Sequence, residues 1–410
     1  MAVRAQEFAT RLPPISQRFE GLTHGLARAL GLYSARKEGG LTVRTAAAET
    51  SRSNIARNEP AGNAAEASLF EQLTARVVGQ AHAMEQIVPY VQMHQAGLAP
   101  EGRPAGVFLL LGPTGTGKTR TVEALAEVLH GSEKHLLRVD CGEFQMEHEV
   151  AKLIGAPPGY LGHRETPPML TQNKLSGVAS ERCDLSLVLF DEIEKAAPSM
   201  TRLLLGVLDK AALRLGDNTT VNFERTLIFL TSNVGARELR KQIEPDFGFE
   251  AMAPSPSAAG SPVNGAGKLD RVGASAVRRK FSPEFVNRID AVITYRPLGS
   301  GELVAILEQQ LQALERHIGK RLGARAFSLQ VDERAREFLL AKGTSSEYGA
   351  RELKRTILRS LTHPLAALLS SAGIEPGSTV RATFQAEKPD VEKQVSEKLT
   401  LTVEAAQSES

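Results

Sequence analysis

Residues Gly112, Pro113, Thr114, Gly115, Thr116, Gly117, Lys118 and Thr119 form an unbroken G-x-x-x-x-G-K-[ST] run. Those types at that spacing suit one task, the cradling of a phosphate chain. The glycines let backbone N–H groups turn inward around phosphate oxygens, and a following helix aims its positive end at the same anion. Lys118 adds a point charge for the β- and γ-phosphates, Thr119 offers a hydroxyl to Mg²⁺, and Arg120 follows at the nucleotide. A second group, Asp191 and Glu192, closes the apolar run 187–190. Asp191 is the candidate to hold Mg²⁺ through water, and Glu192 the candidate to activate the attacking water. A third apolar run, 226–230, ends at Thr231, Ser232 and Asn233. Asn233 is placed to help position that water. These groups call for the phosphates of a nucleotide together with Mg²⁺.

Such groups need strand ends and a helix N-terminus. Short apolar runs at 106–111, 136–139, 185–190 and 226–230 alternate with helical patterns, among them 118–129 and 200–209. That alternation predicts an α/β fold, a parallel sheet covered by helices on both faces. Helices are also expected over 69–75 and 80–96. The Ala-, Pro-, Ser- and Gly-rich stretch 251–276 reads as a long flexible insertion. Beyond it, helices at 302–318, 333–341 and 352–369, with edge strands at 327–331, 379–384 and 399–404, predict a smaller α+β domain. The expected division is 1–66, an extension that is partly helical and then linker-like; 67–296, the nucleotide domain; 297–405, the small domain; and 406–410, a tail.

Taken together, these motifs resemble the AAA+ ATPases, and most of all the second ATPase module of the Clp unfoldases, over about residues 69–384. Arg76-Val77-Val78-Gly79-Gln80 resembles the family's adenine-pocket motif, which assigns Val77 and Val78 to the base. The segment 281–290 resembles the one carrying the arginine finger, and 348–355 resembles the start of the sensor-2 helix. The resemblance implies that Arg288 reaches the γ-phosphate held by a neighbouring subunit. It also implies that Arg351 contacts the nucleotide of its own subunit. It implies a homo-oligomer, a ring of six.

Gly159, Tyr160, Leu161 and Gly162 look like the pore loop of Clp rings, an aromatic on a glycine-flanked tip that would grip extended polypeptide. Downstream the chain departs from the family, with Pro167 and Pro168 where a Gly-Gly-Gln stretch is usual. Residues 210–217 also replace an Asp-Gly-rich second pore loop. Phe247, Gly248 and Phe249 resemble the tripeptide by which some Clp unfoldases dock on a ClpP-like peptidase. Local packing of the two rings is the stronger reading of so short a signal.

Composition narrows the partners. In 410 residues, 49 Lys and Arg face 47 Asp and Glu, so 49 − 47 leaves +2 and no global attraction to nucleic acid or anionic lipid. Trp is absent and aromatics are 5%, which disfavours a base-stacking platform. No apolar run approaches a membrane span, and the first residues lack a secretory core. Two cysteines make neither a disulfide framework nor a four-thiolate zinc site, so a cytoplasmic protein is expected. The leading function is ATP-driven unfolding or remodelling of proteins threaded through a tyrosine-lined pore. The alternatives are a regulatory ATPase feeding a ClpP-like peptidase and a non-threading AAA+ assembly switch.

Overall fold

The computed structural model describes residues 68–155, 167–236, 238–239, 265–344, 349–371, 374–385 and 398–404. The extension 1–66, the tyrosine loop 159–162 and the tripeptide 247–249 lie outside these residues.

Helix α1 (Leu69–Arg76) starts at a capping box, in which Ser68 and Glu71 satisfy each other's backbone N–H. Helix α2 (Ala81–Gln95) lays Met84, Ile87, Val88 and Val91 inward at helical spacing. Strand β1 (Gly106–Leu111) is buried along its whole length. It leads into helix α3 (Lys118–His130), whose N-cap Gly117 has φ 102° and offers no side-chain cap. The first N–H groups of α3 are thereby left for a ligand. Then follow β2 (Leu137–Asp140), β3 (Ser186–Asp191), helix α4 (Pro198–Lys210), the hairpin β4–β5 (Ala212–Arg214, Thr220–Asn222) and β6 (Thr226–Ser232). Helix α5 (Gly265–Lys280) precedes β7 (Ala291–Thr294).

The strands order as β2-β3-β6-β1-β7, every neighbouring pair parallel. Side chains alternate across the sheet. Val107, Leu109 and Leu111 enter one core, while Phe108 and Leu110 enter the other with α2 and α3. Both faces are therefore dry, which explains why these strands read as continuous apolar runs. The parallel arrangement also brings the C-terminal ends of β1, β3 and β6 to one edge, where ligands of open α/β sheets bind.

Residues 295–299 connect to a second unit with its own core, centred on Leu307, Leu339, Leu353, Leu361 and Val380. It comprises α6 (Ser300–Leu322), β8 (Ser328–Val331), α7 (Glu333–Gly343), α8 (Ala350–Ile357), a π-helical turn (Leu358–Thr362), α9 (His363–Ser370), β9 (Thr379–Gln385) and β10 (Lys398–Glu404). Its sheet runs β10-β9-β8.

Three expectations change. The stretch 265–276 is helical, not loop: α5 buries Gly273, Ala276 and Val277 at spacings of three and four. Its inner face is narrow because its neighbours are close; a Cβ on Gly235 would lie 2.9 Å from that of Ala276. Small residues give little hydrophobic periodicity, which hid the helix. The helix expected over 352–369 is interrupted by the π turn just before Pro364, whose ring cannot follow a regular ladder. Strand β9 is central rather than an edge, parallel to β8 and antiparallel to β10.

Candidate active site

The site is assembled from backbone first. At the end of β1, Gly112 adopts φ 144°, and a Cβ there would lie 2.8 Å from the Tyr295 carbonyl oxygen. Only glycine fits that approach. The loop then turns through Gly115 and Gly117, both at positive φ, into α3. Lys118 is 8% exposed and donates to the Gly112 carbonyl at 2.6 Å, the Pro113 carbonyl at 2.9 Å and Asn233 Oδ1 at 2.9 Å. The ammonium thus lies at the mouth of the loop. Burial pushes its pKa down to about 8, against the opposing pull of Glu194, Asp191 and Glu192.

Asp191 and Glu192 stand at the end of β3. Thr231 on β6 serves both: its hydroxyl donates to Asp191 Oδ1 at 2.5 Å and accepts from the Glu192 N–H at 2.9 Å. Glu192 takes the left-handed conformation, φ 56°, unusual for a residue with a side chain. Its carboxylate accepts from Asn233 Nδ2 at 3.3 Å and pairs with Lys195. Arg138, on β2, pairs with Asp191.

These groups line one cleft of about 630 Å³, within the range that accommodates a nucleotide. Val77, Val78, residues 114–120, Asp191, Glu192 and Asn233 contribute, and Arg351 closes it from the small unit. Gly112 and Pro113 root the loop through their carbonyls. The structure thus brings together the residues expected at the nucleotide, apart from one difference of emphasis and one of place. Arg120 lines the cleft but its guanidinium is engaged with Glu127 at 3.3 Å, Glu133 at 3.7 Å and Glu123 at 3.8 Å. Arg288 lies away from this cleft, paired with Glu284 at 3.4 Å and Asp209 at 3.5 Å.

Arg138 and Lys195 were missed from sequence. A charged residue on an exposed strand edge or one helical turn past an acid is commonplace, and only the folded register, Asp140 beside Asp191, places Arg138 at the carboxylate.

The donor set suits a triphosphate with magnesium. A buried cation, a glycine loop, an uncapped helix start, and a hydroxyl and carboxylate in one cleft supply what each requires. Residues 103–292 match the family model described as AAA domain (Cdc48 subfamily), and residues 298–382 match the C-terminal, D2-small domain of ClpB protein.

The chain belongs to the AAA+ ATPases of the Clp family.

Among Clp relatives, it is 38% identical over 318 residues to the chaperone protein ClpB of Pseudomonas putida, covering 78% of this chain and 34% of that one. It is 40% identical over 310 residues to ClpB of Rhodopseudomonas palustris, covering 76% and 32%. The chain spans about a third of the length of the curated relatives it matches. Among solved structures, Hsp104 in a closed state with ATPγS and FITC casein superposes with TM-score 0.63 and 27% identity, over 82% of this chain and 51% of that one. The Saccharomyces cerevisiae Hsp104–casein complex gives TM-score 0.63 at 28% identity, over 77% and 49%.

The Lys118 shift predicts an ATP affinity that depends on pH. A bound triphosphate favours the charged ammonium and raises its pKa above that of the empty cleft. Below pH 8 the cation is already present; above it, binding must take up a proton. Affinity is expected to fall about tenfold per pH unit above pH 8, until the pKa of the bound form is reached. Calorimetry at pH 9 in buffers of different ionisation enthalpy should register the proton uptake.

Proposed function

We infer that this Clp-family chain hydrolyses ATP at boundaries between copies of itself and uses the cycle to unfold or remodel other proteins. The supporting observation is the convergence of Lys118, Thr119, Asp191, Glu192 and Asn233 on one cleft that Arg351 of the small unit closes. Lys118 binds phosphate oxygens. Glu192, set by its turn and by Thr231, accepts a proton from the attacking water, and Asn233 orients that water. Magnesium, held through Thr119 and Asp191, would neutralise charge on the phosphates. Arg351 links nucleotide to the small domain. Arg288, outside its own cleft, serves the cleft of a neighbouring copy, and a closed ring of six satisfies every such pair. We assign the domain limits as 67–296 and 297–405, a division supported by the separate core of the second domain.

The polypeptide part of this reading rests on kinship with ClpB and on Hsp104, seen with casein. Tyr160, on its glycine-flanked loop, is the proposed grip. Among the described residues no helix is long and apolar enough to cross a membrane; a cytoplasmic location is part of the proposal. Replacing Tyr160 with Ala is expected to abolish ATP-dependent unfolding of a tagged, folded substrate while lowering ATP turnover far less. Equal loss of both, or loss of neither, would contradict threading.

A further inference from the structure

We propose that Gln80 is a positioning residue that ties the phosphate loop to the connection between the two domains, so that the aim of the loop and the seat of the small domain change together. The proposal rests on the nucleotide-binding reading of the cleft and assigns it a mechanical linkage.

Gln80 has no exposed surface. Its Nε2 donates to the Thr116 carbonyl at 3.2 Å and to the Arg296 carbonyl at 2.8 Å. Its Oε1 accepts from the Arg296 N–H at 3.2 Å. One side-chain amide therefore satisfies three backbone groups on two distant segments. In a dry site each would be costly to leave unpaired.

What these segments do makes the bridge more than packing. In a trans peptide unit the C=O and the following N–H point in opposite directions. Holding the Thr116 carbonyl therefore fixes the aim of the Gly117 N–H, one of the donors of the phosphate cradle. The preceding carbonyl is held from the small domain: Gly115 O accepts from the Ala350 N–H at 3.3 Å. A Cβ on Gly349, which has φ 49°, would lie 3.1 Å from that oxygen. Two successive carbonyls of the loop are thus gripped, one by the start of α8 and one through Gln80.

At its other end, Gln80 holds the backbone carbonyl and N–H of Arg296, where the chain leaves β7 for the small domain. Two residues on, Leu298 packs against the small-domain core. Gly79 presses on the same junction, since a Cβ there would come within 2.8 Å of Glu302 Cγ and 3.3 Å of Leu298 Cδ2. A nucleotide that reorients the loop must move this amide, and the amide carries Arg296 with it.

The test uses the full chain with spin labels at Asn173→Cys, in the large domain, and Glu337→Cys, in the small one. Both positions are exposed, whereas Cys141 and Cys183 are buried. Distances are read by pulsed electron resonance with and without saturating ATPγS. A fluorescent ATP analogue measures binding separately, so failure of the nucleotide reading shows there first. The unaltered chain should shift its distance distribution with ATPγS. Gln80→Met, similar in volume and without hydrogen bonds, should bind nucleotide yet lose most of that shift. If it does not fold, Gln80→Glu, which keeps the acceptor but loses both donors, is read the same way. A lower melting temperature with the full shift retained would mark Gln80 as merely structural and overturn the proposal. So would an unaltered chain that binds ATPγS without any shift.

Discussion

Glu192→Gln is expected to lower ATP turnover by about 10²- to 10⁴-fold while leaving nucleotide bound. The amide matches the carboxylate in size, so the left-handed turn at φ 56° and the Thr231 contact to the backbone N–H need not change. What is lost is the group that accepts a proton. The ion pair to Lys195 is lost as well, and one negative charge leaves a cleft that must hold a triphosphate. Bound ATP should therefore persist for longer than in the unaltered chain. Retention of labelled ATP on a desalting column, set beside phosphate release in solution, measures both. Turnover close to that of the unaltered chain would remove Glu192 from the chemistry.

Arg288→Ala is expected to reduce turnover by about 10³- to 10⁵-fold under conditions where the chain assembles, with ATP affinity changed only slightly. The guanidinium is three-quarters covered, pairs with Glu284 and Asp209, and has its Nε buried without a hydrogen-bond partner among the described residues. It is held in place yet incompletely satisfied, and it is outside its own cleft. Arg288→Lys should also fail, because an ammonium cannot reproduce the planar fork that meets phosphate oxygens. Turnover of assembled chains that ignores both substitutions would separate Arg288 from hydrolysis.

The cleft was legible in sequence where the chemistry is local. The loop 112–119 needs glycines at fixed positions, and Asp191–Glu192 follows a strand long enough to recognise. The parallel sheet was legible because burial on both faces erases polar residues from its strands. The parts that stayed hidden depend on contacts remote in sequence. Gln80 and Arg296 are 216 residues apart, and Arg138 and Asp191 are 53 apart. Neither pair has a local pattern. Helix α5 was missed for a different reason: a face of Gly273, Ala276 and Val277 packs closely without a large side chain to announce it. The central place of β9 was hidden because strand order is a property of pairing, not of any one strand.

The sharpest measurement mixes two defective proteins. Glu192→Gln retains its finger and lacks its base; Arg288→Ala retains its base and lacks its finger. Each alone should be nearly inactive. Mixed in equal amounts and allowed to exchange, half the sites keep Glu192 and half of those face a neighbour with Arg288. Turnover should therefore rise to about a quarter of that of the unaltered chain. A mixture no more active than its components would contradict an ATPase site completed by the neighbouring copy.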